Sequence, residues 1–109
     1  MKNVGVRNPE VIDLVTHDPK SGEFVLIMFE PRPWDGSQER LDALQKKVNN
    51  YIFFALGGQI EKYYPQALDK SLRIQLDCHS PLDPKTQVFV DQIKKQFEKE
   101  SLKFVVNLL

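Results

Sequence analysis

The residues best suited to chemistry in this sequence lie close together in the segment DCHSPLD, residues 77–83. Asp77, Cys78, His79 and Asp83 are all types that ligate zinc, and a cysteine beside a histidine can act as a nucleophile with its base. Neighbouring residues of a strand point to opposite faces, so Cys78 and His79 should diverge and form neither arrangement. We therefore expect Cys78 to be a small core residue and His79 to end a strand, with no metal and no cofactor bound.

No longer motif supplies a catalytic geometry. The sequence contains no glycine-rich phosphate loop and no H-E-x-x-H, G-x-S-x-G or C-x-x-C pattern, and in each of these the spacing itself creates the site. We expect a non-enzymatic module for protein interaction or ligand binding. The alternative is a small enzyme that uses Asp77 or His79, on the polar face of the third strand, as its acid or base.

The segment PRPWDG, residues 31–36, places the only tryptophan beside an aspartate in a loop stiffened by two prolines. Trp34 and Asp35 could form the rim of a binding site, because an indole can anchor a partner and a carboxylate can fix a polar group. Trp34 could instead plug the end of the sheet, which is favoured because large aromatic side chains are mostly buried. Tyr63 and Tyr64 could likewise bind a partner or pack on the core, and we expect one ring to be packed and the other exposed. These four residues form the candidate binding surface.

Charge and cysteine usage limit the partners. Fifteen basic and fifteen acidic residues balance, so the chain lacks the excess of positive charge that usually binds nucleic-acid phosphates. The pairs Lys46–Lys47 and Lys94–Lys95 fall on the polar sides of expected helices, where solvation is the simplest interpretation. Cys78 is the only cysteine, and no apolar stretch resembles a signal peptide or a membrane span. We expect a cytoplasmic protein that contacts neither nucleic acid nor membrane.

Hydrophobic periodicity predicts the element order ββαβαβ. Strands are expected over 11–18, 23–30, 71–78 and 102–109, and helices over 37–56 and 84–100, with a short helical turn at 59–65. Asp35, with Gln38 in a capping box, and Asp83, before Pro84, are the expected N-caps of the two helices. His17 falls near the turn of the first hairpin and is expected to be solvated.

This order predicts one α+β domain over residues 1–109, a two-layer sandwich with a four-stranded mixed sheet. Two right-handed crossovers in the same direction place both helices on one face of the sheet. The strand order is then 1-2-3-4, with the first strand antiparallel to the others. Residues 1–10 are polar and broken by Gly5 and Pro9, so we expect a loosely held lead-in.

The second strand is apolar on both of its faces, whereas the two helices cover only one face of the sheet. One of its two apolar rows should therefore need another cover: the N-terminal segment, the Trp34 loop or a second subunit. An apolar centre with a polar rim is typical of an interface. We expect a two-fold homodimer through this face, besides a protein partner of unknown identity. The candidate dimer face consists of Val25, Ile27 and Phe29.

Two longer stretches, PRPWD and LDALQKKVNNYIFFALGGQIEKYYP, carry a resemblance to a known family. The shared pattern includes Trp34–Asp35, Leu44 to Lys47, Asn50–Tyr51, a helix-ending glycine and Tyr64–Pro65. In this pattern the chain resembles an uncharacterised family of short bacterial proteins, catalogued as a domain of unknown function. The resemblance covers most of the chain. It implies a bacterial, soluble, single-domain protein and supplies no catalytic residues.

Overall fold

The computed structural model describes residues 4–109, which contain four strands and three helices. The strands are β1 (Leu14–His17), β2 (Phe24–Glu30), β3 (Leu72–Cys78) and β4 (Lys103–Leu108). The helices are α1 (Gln38–Leu56), α2 (Gln59–Tyr63) and α3 (Pro84–Lys99), and a 3₁₀ turn covers Pro65–Ala67. The predicted order of the six main elements is confirmed. β1 is shorter than its predicted span, and the helical turn expected at 59–65 is divided between α2 and the 3₁₀ turn.

The strands form one mixed sheet in the order β1-β2-β3-β4. β1 is antiparallel to β2, whereas β2, β3 and β4 are parallel. A single core cluster joins Leu44 of α1 and Val90 of α3 to Leu26 and Ile74 of the two central strands. Both long helices therefore pack on the same face, as two right-handed crossovers in one direction require. The predicted α+β fold and strand order are confirmed.

The hairpin between β1 and β2 turns at Gly22. This residue has a φ of 77°, which glycine adopts without steric cost, and its N–H donates to the carbonyl oxygen of Asp18 at 2.8 Å. His17 is exposed beside the turn, with its ring centroid 5.0 Å from that of Phe24. Its expected solvation is confirmed.

The N-cap prediction is right for one helix and wrong for the other. Asp83 accepts from the backbone N–H groups of Lys85 and Thr86, directly before Pro84 at the first position of α3. At α1 the N-cap is Ser37, whose Oγ accepts from the N–H of Arg40 at 3.2 Å. Ser37 takes this position because it immediately precedes the first helical residue.

Asp35 lies two residues before Ser37, the N-cap of α1. Its Oδ1 accepts from the N–H of Ser37 at 2.9 Å, and this hydrogen bond, together with that from the Ser37 hydroxyl, holds the pKa of Asp35 below its usual range. Asp35 therefore orders the cap residue without being the cap, and the expected capping box with Gln38 does not form.

The interpretation of the lysine pairs as solvated needs one correction. Lys95 and Lys46 are exposed, and Lys94 is half-buried, as residues on a polar helix side should be. Lys47 has no exposed side-chain area. It is buried because the N-terminal segment crosses α1 at this position. No helix within residues 4–109 is long and apolar enough to cross a membrane.

The prediction of a loosely held N-terminal lead-in is wrong for residues 5 and 6, whereas residues 1–3 lie outside the described part of the chain. Val6 is fully buried in the core cluster. Its N–H donates to the carbonyl oxygen of Phe29 at 2.9 Å. β1 pairs with β2 only as far as Ile27, so the N-terminal segment occupies the place beside β2 that β1 leaves free.

The face of the sheet opposite the helices is the one that carries the candidate dimer face. Val25 and Ile27 are only 2% and 9% exposed there. Their cross-strand neighbours on the same face, including Leu14 and Gln75, flank them. Phe29 is half-buried at the end of the row, where the N-terminal segment meets it. The centre of this row is therefore covered within one subunit.

Candidate functional site

A pocket of about 390 Å³ lies where the three parallel strands end. Its apolar walls include Val6 of the N-terminal segment, Phe29 at the end of β2, Pro31 in the loop after β2, and Leu109 after β4. The carboxyl ends of parallel strands are the usual place for ligand sites in open sheets. The volume is within the range of small-molecule pockets, about 300–1,000 Å³.

The register of the sheet explains why Phe29 and Asp77 meet in this pocket and why Asn107 lies beside Asp77. Phe29 of β2 is directly paired with Asp77 of β3, and Asp77 with Asn107 of β4. All three lie on the face without helices, because alternate residues of a strand share a face. His79 follows β3 immediately and also lines the pocket. The sequence-predicted residues Asp77 and His79 are thus brought together at one site.

One carboxylate, that of Asp13, ties together two walls of the pocket. Its Oδ2 accepts from the backbone N–H of Gly5 at 3.0 Å and from the N–H of Phe29 at 2.9 Å. Gly5 and Phe29 both line the pocket, one from the N-terminal segment and the other from β2. The spacing between these walls is therefore set by hydrogen bonds to a charged acceptor, which are shorter and stronger than neutral ones.

The charge of Asp13 is balanced by Lys47 of α1. Lys47 Nζ lies 2.8 Å from Asp13 Oδ1, and neither side chain has exposed area. The same ammonium donates to the carbonyl oxygens of Asn8 and Val11, each at 2.9 Å, so all three of its protons are used. Burial lowers the pKa of Lys47, and the hydrogen bond and charge of Asp13 oppose that shift.

Tyr51 and Asn50 extend this clamp along α1. The Tyr51 hydroxyl donates to the carbonyl oxygen of Ile27 at 2.7 Å and accepts from the N–H of Asp13 at 2.8 Å. Burial raises the pKa of Tyr51. Asn50 Nδ2 donates to the carbonyl oxygen of Glu10 at 3.2 Å. Lys47, Asn50 and Tyr51 all belong to the pattern on which the family resemblance is based, and all three hold the N-terminal segment.

Asp77 is a buried acid that lines the pocket. The residue is 8% exposed, and its Oδ1 accepts from Gln75 Nε2 at 2.8 Å and Asn107 Nδ2 at 3.1 Å. These amides orient the carboxylate without neutralising it. Within residues 4–109, no basic side chain forms an ion pair with Asp77 and no donor reaches its Oδ2.

The second acid at the pocket, Glu30, is already neutralised. Its side chain has no exposed area, and Arg32 binds it through two hydrogen bonds of 2.7 and 2.9 Å. This bidentate pairing raises the pKa of Arg32. Two further basic residues, Arg7 and His79, line the pocket at exposed positions, and neither forms an ion pair with another described residue.

Cys78 and His79 diverge as predicted. Cys78 is 1% exposed within the core cluster, and burial raises the pKa of its thiol, whereas His79 is exposed at the end of the strand. In the part of the chain that the structure describes, no group of three or more histidine, cysteine, aspartate or glutamate side chains is placed to hold a metal ion.

The candidate binding surface is divided between two places. Trp34 is 8% exposed and belongs to the core cluster, with the Arg40 guanidinium 5.7 Å from its ring centroid. Tyr64 packs partly against the core, and Tyr63 is 65% exposed. The tyrosines line a shallow groove beside β1, together with Phe54, whose ring stacks on Tyr63 at 6.2 Å. Neither group borders the pocket at the strand ends.

Sequence reasoning missed the pocket residues that come from the N-terminal segment and from the loop after β2. Arg7 and Arg32 stand in segments without periodicity, so no sequence pattern marks them. Asp13 is also unmarked, because it falls inside the strand expected over 11–18, whereas β1 begins only at Leu14. The one available signal was the Lys47–Asn50–Tyr51 pattern, and its role as a clamp can be recognised only in the folded structure.

The fold and the pocket together define a small α+β domain with helices on one face of a mixed sheet and a concave site at the ends of its parallel strands. The chain belongs to a family of unknown function (DUF6572), whose family model matches residues 4–109. The match confirms the resemblance to a domain of unknown function. No curated protein and no solved structure matches the chain.

Proposed function

We propose that this protein is a non-enzymatic module that binds a small ligand in the pocket at the carboxyl ends of β2, β3 and β4. The observation that carries the proposal is the combination of apolar walls with a few fixed polar groups in a space of about 390 Å³, the usual composition of a ligand site. Asp77 is oriented by two amides, and the Asp13–Lys47 pair sets the position of the N-terminal wall.

A preformed site of this kind favours binding because little ordering is needed when the ligand enters. The only thiol, on Cys78, is buried in the core, and one oxygen of the Asp77 carboxylate, Oδ1, accepts from two amide donors. These features support a binding role. We place the protein in the cytoplasm, in keeping with a single buried cysteine, and we propose that neither nucleic acid nor membrane is its partner, in keeping with its zero net charge.

The test uses 8-anilinonaphthalene-1-sulfonate, an apolar probe that carries one negative charge. We expect the probe to shift the backbone amide NMR signals of Val6, Phe29 and His79 in uniformly labelled protein. Signals that move instead around the exposed side chains of Phe53 and Leu56, with the strand ends unchanged, would overturn the proposal.

The alternative function is a small enzyme, favoured by the presence of Asp77 and His79 at the same pocket. Conversion of a compound that binds there, followed by mass spectrometry and abolished by Asp77→Asn, would favour the enzyme over the binding module. A bound compound recovered unchanged supports the binding module.

We also propose that two subunits pair through the sheet face without helices. Leu14 and Val105 are 44% and 37% exposed on this face, and Phe29 is half-buried at its end. Because Val25 and Ile27 are covered within one subunit, the new apolar contact would come mainly from these flanking residues. The polar residues around them would form the rim.

A further inference from the structure

The charges of the pocket at the strand ends point to the chemical class of its ligand, provided that the pocket is the binding site proposed above. We infer that the ligand is a small zwitterion with an apolar body, of which an α-amino acid with a large apolar side chain is the simplest example. Three independent features of the pocket, its buried acid, its basic rim and its apolar walls, correspond to the three parts of such a molecule.

Asp77 offers one carboxylate oxygen to a ligand. The residue as a whole is 8% exposed, but its Oδ2 is not among the described side-chain atoms that are both buried and without a hydrogen-bond partner, so this oxygen is open to the pocket. Its Oδ1 accepts from two amides, but within residues 4–109 its Oδ2 receives no hydrogen bond and no basic side chain pairs with it. An ammonium group of the ligand supplies both the missing charge and the missing donor.

The rim offers the opposite charge. Arg7 and His79 line the pocket at exposed positions, and no described acid forms an ion pair with either. The Arg32 guanidinium is bound by the buried Glu30 carboxylate, so it is less available to a ligand than Arg7. A guanidinium binds carboxylates through two parallel hydrogen bonds, and Arg7 is therefore the residue assigned to the ligand's carboxylate.

Much of the remaining lining of the pocket is apolar. Val6 is fully buried and Phe29 half-buried where they border the pocket, and Pro31 and Leu109 complete its walls. A zwitterion without an apolar side chain would leave these walls against water, whereas an apolar molecule without charges would leave Asp77 unpaired. Each part of the proposed ligand thus satisfies a different group of the pocket.

The experiment compares three molecules that share one aromatic body. L-phenylalanine carries both charges, phenethylamine lacks the carboxylate, and 3-phenylpropanoate lacks the ammonium. We expect L-phenylalanine to bind about tenfold or more tightly than either analogue in calorimetric titrations, since each analogue loses one charge-assisted interaction. Equal affinity for all three molecules would overturn the inference.

Two variants separate the roles of the charges. Arg7→Gln, at an exposed position, should weaken L-phenylalanine by about tenfold and leave phenethylamine unchanged. Asp77→Asn should weaken L-phenylalanine and phenethylamine and leave 3-phenylpropanoate unchanged. The matched controls are Lys95→Gln and Asp91→Asn, both exposed on α3, which should alter none of these affinities. NMR spectra of each variant verify the fold. Equal effects of the pocket variants and their controls would overturn the assignment.

The outcome for the ligand class and the outcome for the pocket are distinguishable. If 8-anilinonaphthalene-1-sulfonate shifts the signals of Val6 and Phe29 but L-phenylalanine does not, the ligand class is wrong and the pocket proposal stands. If neither molecule shifts these signals, both proposals fail. Binding of L-phenylalanine at these residues, with the expected response to Arg7→Gln, supports both.

Discussion

Replacement of Lys47 by methionine tests the buried clamp that holds the N-terminal wall of the pocket. Methionine keeps most of the apolar stem of lysine but removes the ammonium, which contacts Asp13 Oδ1 at 2.8 Å and two carbonyl oxygens at 2.9 Å. Asp13 would remain as a buried charge without a partner, because both side chains of the pair have no exposed area. Removal of one member of such a pair typically costs about 3–5 kcal/mol.

The expected loss is large in relation to the total stability of a small domain, about 5–15 kcal/mol. It should appear as a lower urea midpoint of Lys47→Met in equilibrium unfolding, followed by circular dichroism. The matched control is Lys46→Met, the same substitution at an adjacent exposed position of α1. Surface substitutions of this kind change the free energy of unfolding by about 0.5 kcal/mol or less.

A double variant examines the cause of this loss. Asp13→Asn removes the charge that Lys47→Met leaves unpaired, while the asparagine oxygen can still accept from Gly5 or Phe29. The two substitutions together should therefore cost less than the sum of their separate effects, as expected for residues in direct contact. The reasoning is refuted if Lys47→Met is no more destabilising than Lys46→Met, or if the two effects are additive.

Three further predictions concern other parts of the molecule. Asp83→Ala should lower the free energy of unfolding by about 1 kcal/mol, because it removes the N-cap of α3. Hydrogen bonds, chiefly from the Thr86 hydroxyl, lower the pKa of Asp83 from its ordinary 3.8. The wild-type advantage should thus be complete above about pH 4 and lost as the pH falls through the lowered folded-state value; an advantage independent of pH down to pH 2 would contradict this. Sedimentation at tens of micromolar should show a dimer that Val105→Lys makes monomeric and the control Val88→Lys, on α3, does not, whereas a monomeric wild type would exclude pairing. Elemental analysis should find no stoichiometric zinc; about one zinc per chain would show that the divergence of Cys78 and His79 does not prevent zinc binding.

Local sequence features determined the elements and their order. The apolar spacing in α1 and α3, the alternation in β3 and the Asp83–Pro84 pair each depend on residues within a few positions of one another. Helical and strand periodicities express which side chains share a face, so they can be read before the fold is known. The sheet order followed from these elements, because crossover handedness leaves few arrangements. The burial of Cys78 and its divergence from His79 followed from strand alternation alone.

Only the tertiary structure determined the clamp and the pocket. Lys47 and Asp13 are separated by 34 positions, and although helical spacing places Lys47 on the same face as Leu44 and Tyr51, it does not indicate which group pairs with the buried charge. The pairing depends on where the N-terminal segment crosses α1, and this path depends in turn on the part of β2 that β1 leaves unpaired. The pocket has the same origin, because its walls come from four separate segments. Their meeting is a property of long-range packing, which local periodicity does not encode.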